Sequence, residues 1–297
     1  MLIKVYSNGI VGARGRWVKT LLELFKVKQT LLLLLTGALA YVAASSPRVD
    51  LPTLAVATLS FFLTISGTTG FNMVLDADID AAMFRTRNRP IPSGRMDKKA
   101  ATAVSTAALL LGLLLASTIN VYFLAAGLAG FLIDILVYTI LLKRRSPWSV
   151  VFGGFAGGMP ALGGWAAATG SFGTEGLLLM LLVALWSSLH IWTLATYYAD
   201  DYRRAGVPML PAVYGERAGV QASLVVAALV VGLTALLALH GLLSAVGLVV
   251  SLAPLAAALA LLVRGLASGE YRWHAFKAFK LVNVFMALVF ISVAFLR

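Results

Sequence analysis

Residues 51–80 read LPTLAVATLSFFLTISGTTGFNMVLDADID. Pro52 to Leu75 carry no charge; then Asp76, Asp78 and Asp80 arrive together. About 20 mostly apolar helical residues cross the hydrocarbon core of a bilayer. Residues 52–75 are therefore predicted to span a membrane, with the acids emerging at one end. If the helix continues through them, Asn72, Asp76 and Asp80 fall one turn apart on one stripe, and Asp78 points the other way. Like charges at that spacing repel, more strongly where water is thin. Two compensations are open. One is a hard divalent cation, Mg²⁺ above all, which takes one or two carboxylates plus substrate phosphates. The other is ion pairing with Arg85, Arg87 and Arg89 just beyond.

Outward from this stretch the chain repeats its apolar half. It has 297 residues, 60% of them hydrophobic and 12% charged, with mean hydropathy +0.92. A soluble domain carries about 25% charged residues, so lipid is the solvent here. Apolar segments at 29–46, 52–75, 99–118, 120–142, 149–169, 176–198, 218–240, 242–263 and 274–296 predict an all-α, polytopic membrane protein. About nine transmembrane helices are expected around a central cavity that opens to the cytoplasmic side. The third and fourth spans are separated only by Ile119-Asn120, and the seventh and eighth by little more than His240-Gly241.

All Lys and Arg but Arg48 and Arg297, of 24, collect on one side of these spans. Basic residues hold loops in the cytoplasm, so the N-terminus is expected there and the C-terminus outside, in the plasma membrane. The net charge of +12 then reflects topology, and a nucleic-acid partner is not expected. There are no cysteines, which removes disulfides, thiolate nucleophiles and Cys-ligated metals. Residues 1–28, with Arg14, Arg16 and Lys19 among Trp17, Leu21, Leu22 and Phe25, read as a cytoplasmic, interfacial segment. Residues 29–297 read as a single transmembrane domain. The long connections, 77–98, 199–217 and 264–273, share the basic side, and loops on a rigid scaffold carry function.

A second acidic pair, Asp200-Asp201, ends the sixth span on that same side and is followed by Arg203 and Arg204. Two carboxylate groups facing each other across a cavity suit metal ions bridging a diphosphate. Arg85, Arg87, Arg89, Lys143, Arg144 and Arg145 are placed to meet phosphate oxygens, Lys143 best because it stands at a helix end.

Four stretches, in order, carry a resemblance. Asn72 to Pro90, NMVLDADIDAAMFRTRNRP, contains N-x3-D-x3-D and is similar to the first aspartate-rich motif of the intramembrane, UbiA-type prenyltransferases, in its heme O synthase form. Tyr138 to Arg144, YTILLKR, resembles that subfamily's Y-[ST]-x2-L-K-R. Gly153 to Gly170, GGFAGGMPALGGWAAATG, and His190 to Pro211, HIWTLATYYADDYRRAGVPMLP, resemble its fifth-span and sixth-span segments. Two departures stand out. Tyr197 occupies the position four before Asp201, where many family members complete a second D-x3-D. Met159-Pro160-Ala161 stands where two successive prolines are common.

The resemblance implies Mg²⁺-dependent transfer of a prenyl group, farnesyl by family default, from prenyl diphosphate to a vinyl group of heme B. Asn72, Asp76, Asp80 and Asp201 become metal ligands and catalytic residues. Lys143, Arg144, Arg85, Arg89, Tyr138 and Asp200 become binding residues, and His190 is placed near the heme acceptor. Hand-over of the product to heme A synthase or to terminal oxidase assembly follows the same resemblance. The rival reading within the family is a quinone precursor or another lipid or aromatic acceptor. A phosphatidyltransferase is disfavoured because no Gly-x2-Ala-Arg follows the aspartates. A transporter is disfavoured because no internal repeat is evident. Asp134, inside the fourth span, belongs to none of these stretches and is expected to be buried from lipid and paired.

Overall fold

The computed structural model describes residues 15–297. Of the expected interfacial segment, Lys4 and Arg14 lie outside the described residues. Its remainder forms a helix over 15–24 (α1), whose Leu24 is fully buried against Met73, Met96 and Ala101 while Trp17, Val18 and Leu22 stay exposed.

Among the described residues nine helices are long and apolar enough to cross a membrane, and the chain is a multi-pass membrane protein. They are α2 (Val27–Ser45), α3 (Leu51–Leu75), α5 (Lys98–Ser117), α6 (Val121–Leu132) continued by a π-helix (Ile133–Leu142), α7 (Ser149–Thr169), α8 (Thr174–Tyr197), α11 (Glu216–Leu239), α12 (Ala245–Ser268) and α13 (Tyr271–Phe295). Short helices α4 (Ala77–Ala82), α9 (Ala199–Arg204) and α10 (Leu210–Tyr214) lie in the two long connections. The caps explain several boundaries. Asp97 accepts from the Ala100 N–H at 2.9 Å to start α5, and Asn120 accepts from the Phe123 N–H at 2.8 Å to start α6.

Two boundaries differ from expectation. The seventh and eighth spans are joined by residues 240–244, with Ser244 capping α12, rather than by a two-residue turn. The connection expected at 264–273 is only Gly269-Glu270, because α12 continues through Arg264 to Ser268 and stops where Gly269 adopts φ +77°.

Packing is set by small residues. A methyl group on Gly154 or Gly158 of α7 would overlap the carbonyl oxygens of Ala184 and Met180 on α8, and one on Gly164 would overlap that of Gly37 on α2. Bare backbone therefore lets α2, α7 and α8 touch closely, the usual means of helix association in lipid. The remaining helices pack around these three, α3 with α5, α8 with α11 and α13, and α12 with α13. The outer surface is leucine, with Leu110, Leu111 and Leu114 of α5 exposed. Two cavities remain inside. One, of about 230 Å³, lies between α2, α3, α6 and α7. The other, of about 200 Å³, lies between α2, α8 and α13, and the two share Leu33 and Ser187 as walls.

Candidate functional site

The acidic stripe survives a small break in the helix. Asp76 (φ −91°, ψ 6°) separates α3 from α4, yet its N–H reaches the Asn72 carbonyl at 2.9 Å and its own carbonyl accepts from Asp80 N–H at 2.8 Å. The one-turn spacing is thereby kept, and Asn72, Asp76 and Asp80 are all buried. Asp78 faces outward as the spacing predicts, 63% exposed in its side chain.

Buried charge must be compensated, and here each acid has its own cation. Lys143 Nζ pairs with Asp76 Oδ2. Arg89 Nη1 reaches both oxygens of Asp80 at 2.7 Å. Arg204 pairs with Asp201, which is also buried. The outward Asp78 meets the two terminal nitrogens of Arg144 at 2.6 and 2.7 Å, and those hydrogen bonds hold its carboxyl down to about 2. Burial pushes the Lys143 ammonium down, but the Tyr138 hydroxyl and the Asp76 carboxylate outweigh it and the net shift is upward.

Both compensations weighed from the sequence bear on this geometry. The ion pairs exist: Arg89 pairs with the stripe as expected, and Lys143 takes the place on Asp76 that the sequence left to Arg85 and Arg87. Asp76 Oδ1 is nevertheless buried with no hydrogen-bond partner. A buried carboxylate oxygen without a hydrogen-bond partner suits a cation. Among the described residues no three His, Asp or Glu side chains converge on one point. Any shared ion therefore depends on the carboxamide of Asn72 and on oxygens supplied by a ligand.

Asn72 is held from two sides. Its Nδ2 donates to Thr139 Oγ1 at 2.8 Å, and its Oδ1 accepts from Lys26 Nζ at 3.5 Å. Thr139 lies in the π-helix, a form frequent at functional sites. There, residues five apart adjoin: the Lys143 N–H donates to the Tyr138 carbonyl at 2.7 Å, and Lys143 Nζ stands 5.4 Å from the Tyr138 ring centre. Lys26 joins α1 to α2 with φ +42°, the sole non-glycine residue in the left-handed region among those described. Burial, with repulsion from Arg89 and Lys143, lowers its pKa to about 7. Lys26 and Thr139 were missed from sequence alone. Lys26 looked like any basic residue of the flank, and Thr139 sat within a quoted stretch without an assigned role.

The other expected site residues divide. Tyr202, next in the chain to Asp201, shares a buried cluster with Ile79 and Met83 of the first acidic loop. Asp200 turns away to the surface, bridged by Arg203 and Arg272 at 2.7 Å each, and these bonds, Arg272's foremost, lower its pKa. Arg85 lies over the Tyr198 ring at 5.7 Å rather than on an acid. A pocket of about 330 Å³ opens beside them, lined by Phe84, Tyr197, Tyr198, Asp200, Asp201, Arg204 and Arg272. His190 is apart from the acids, in the cavity between α2, α8 and α13. Asp134 lines the cavity between α3 and α7. His274 is buried, its Nδ1 at 2.9 Å from the Glu270 carbonyl.

A sequence model of the UbiA prenyltransferase family matches residues 33–291. A protein of Thermofilum pendens named protoheme IX farnesyltransferase is 68% identical over 274 residues, 92% of this chain and 96% of that one. A solved apo structure of a UbiA homolog from Aeropyrum pernix K1 matches with TM-score 0.73 at 23% identity, covering 90% of this chain and 97% of that one. A UbiA homolog from Archaeoglobus fulgidus, solved with GPP and Mg²⁺, matches with TM-score 0.65 at 18% identity, covering 93% and 99%. At these two identities the likeness speaks to the fold.

Proposed function

The chain belongs to the UbiA prenyltransferase family, and we propose that it transfers a prenyl group, farnesyl first among candidates, from prenyl diphosphate to a vinyl group of heme B. The observation that carries the reading is 68% identity, along nearly the whole of both chains, to a protein named for that activity. The buried acidic stripe with its bare Asp76 oxygen supports it. We read residues 29–297 as one catalytic domain and the acid-bearing face as cytoplasmic, in keeping with the basic loops.

Asn72, Asp76, Asp80 and Asp201 offer hard oxygens only, the kind Mg²⁺ takes one or two at a time, with the diphosphate supplying the rest. Bound there, Mg²⁺ would neutralise charge on the leaving diphosphate. Lys143, Arg89 and Arg204 already sit on the acids and need only exchange partners to meet phosphate oxygens; Arg144 and Arg85 border them. Asn72 has its carboxamide fixed by Thr139 and Lys26. As the C–O bond to diphosphate breaks, the allylic carbon becomes cationic and the vinyl carbon attacks it. The apolar walls of the cavity between α3 and α7 exclude water until that bond has formed. Water then adds to the new cation and releases a proton, giving a hydroxyalkyl side chain, and the product is suited to a heme-modifying or oxidase-assembly partner in the same membrane.

The test is purified protein with Mg²⁺, farnesyl diphosphate and heme B, read by product mass, with Asp76→Ala as control. Heme carrying a farnesyl group only when Mg²⁺ and Asp76 are both present supports the reading. Prenylation of a quinone or lipid acceptor instead moves the protein elsewhere in the family.

A further inference from the structure

The cavity between α2, α3, α6 and α7 begins just beneath the acidic stripe. Thr68, one turn below Asn72 on α3, lines its upper end. So does Asp134, whose carbonyl accepts from Thr139 Oγ1 at 2.8 Å, the same hydroxyl that receives the Asn72 amide. From there the walls are apolar and mostly small, with Ala126 and Gly127 of α6 facing Ala156 and Pro160 of α7. Two rings close the outer end. Phe61 of α3 and Phe123 of α6 meet edge to face, centres 5.0 Å apart at 83°, and both are buried. Glycines on two other helices make room for them. A methyl group on Gly37 of α2 would come within 2.7 Å of the Phe61 ring, and one on Gly163 of α7 would stand 3.3 Å from each ring. One turn farther out on α3, α2 and α7, Ala57, Tyr41 and Ala167 continue the same buried cluster, two of the three with small side chains.

The helices themselves measure this space. Phe61 precedes Asn72 by eleven residues on α3, and Phe123 precedes Asp134 by eleven along α6 and its continuation. Both give about 16 Å at the helical rise. An extended carbon chain advances about 1.25 Å per bond, from a bond of about 1.5 Å and an angle near 111°. By that measure a geranyl chain reaches roughly 9 Å, a farnesyl chain roughly 14 Å and a geranylgeranyl chain roughly 19 Å. With the diphosphate at the acids, a farnesyl chain ends against the two rings. A geranyl chain stops short of them and forfeits the contacts of the outer third. A fourth isoprene unit would have to displace rings that are packed between four helices, and close-packed interiors resist added volume.

Resting on the prenyl-transfer reading above, we infer that the Phe61–Phe123 pair sets the chain length of the donor, admitting three isoprene units and excluding four. The two residues act through specificity alone. They meet the last methyl groups of the tail and lie a cavity's length from the carbon that reacts. Selection therefore depends on α2, α3, α6 and α7 at their outer ends, while the chemistry depends on the loops at the opposite face.

The experiment is a competition. Purified full-length protein, Mg²⁺ and heme B receive geranyl, farnesyl and geranylgeranyl diphosphates in equal amounts, and the products are separated by mass. Wild type is expected to give farnesylated heme over either other product by on the order of tenfold or more. Phe61→Ala and Phe123→Ala are each expected to raise the geranylgeranyl-to-farnesyl ratio by on the order of tenfold, because the space then opens toward Ala57 and Ala167. Gly127→Leu is expected to act in the opposite direction and raise the geranyl-to-farnesyl ratio. Its first carbon would meet only the end of Leu113 at 3.4 Å and the Thr64 methyl at 3.8 Å, and the rest of the side chain fills the cavity one turn above Phe123. Each ratio is internal to one protein, so a loss of folded material does not imitate it. Should the alanine variants yield no product, Gly127→Leu decides. Unchanged ratios in variants that still prenylate heme, or a wild type that prefers geranylgeranyl diphosphate, would overturn the inference while the reading of function stands. A wild type that prenylates heme from none of the three removes both together.

Discussion

Asp76 gives only one carboxylate oxygen to Lys143; the other is buried and bare. The ion pair is thus half of an arrangement. Removing Lys143 should destabilise the protein by about 3–5 kcal/mol, because a buried charge loses its partner. The double variant Lys143→Met/Asp76→Asn should recover much of that loss. Thermal unfolding of the four proteins of this cycle checks it, and simple additivity would contradict it.

The bare oxygen makes Asp76→Asn the sharpest probe of chemistry. The change is nearly isosteric but leaves Lys143 without its partner, so turnover is compared per folded protein, where it should fall by on the order of 100-fold or more. Turnover at saturating Mg²⁺ is the measurement; a fall repaired by extra Mg²⁺ alone would assign Asp76 to affinity only.

Thr139→Val removes the acceptor of the Asn72 amide. An unsatisfied buried donor costs roughly 1–3 kcal/mol, and the carboxamide loses its fixed aim. The Mg²⁺ concentration for half-maximal turnover should rise several-fold, and Thr139→Ser should restore it.

The Asp78–Arg144 bond has a pH signature. Asp78 titrates near 2 in the folded protein against 3.8 as an ordinary carboxylate. A depressed folded value means that its contribution is present above about 3.8 and is lost as pH falls toward 2. The stability gap between wild type and Asp78→Asn should therefore be flat from pH 7 to 5 and close below pH 4. Asp78 is largely exposed, so the gap itself should be small.

Because the chain has no cysteine, orientation can be read by single insertions. Ser93→Cys, in the acidic-face connection, should react with an impermeant maleimide only from the cytoplasmic side. Ser171→Cys, between α7 and α8, should react only from outside.

Much of this architecture was legible because lipid imposes one rule, a run of about 20 apolar residues per crossing. The aspartate stripe was legible because helical spacing projects it onto one face. The eighth span was misjudged because Arg264 looked like its end. An arginine near a terminus can send its charge to the interface while its helix continues, and Gly269 was the true stop. One partner choice was hidden. Lys143, not Arg85 or Arg87, pairs with Asp76, and no periodicity links the two; Arg204 pairs with Asp201 three residues before it, a spacing the sequence does show. The π-helix left no periodic trace.

That helix gives residue count a meaning of its own. At about 100° per residue, an α-helix would set Tyr138 and Lys143 roughly 140° apart around its axis; the wider winding stacks them instead. Deleting one residue between Asp134 and Lys143 would let the segment rewind and swing the lysine off Asp76. In most spans such a slip trades one lipid-facing leucine for another; here it would change the reading frame of the active face.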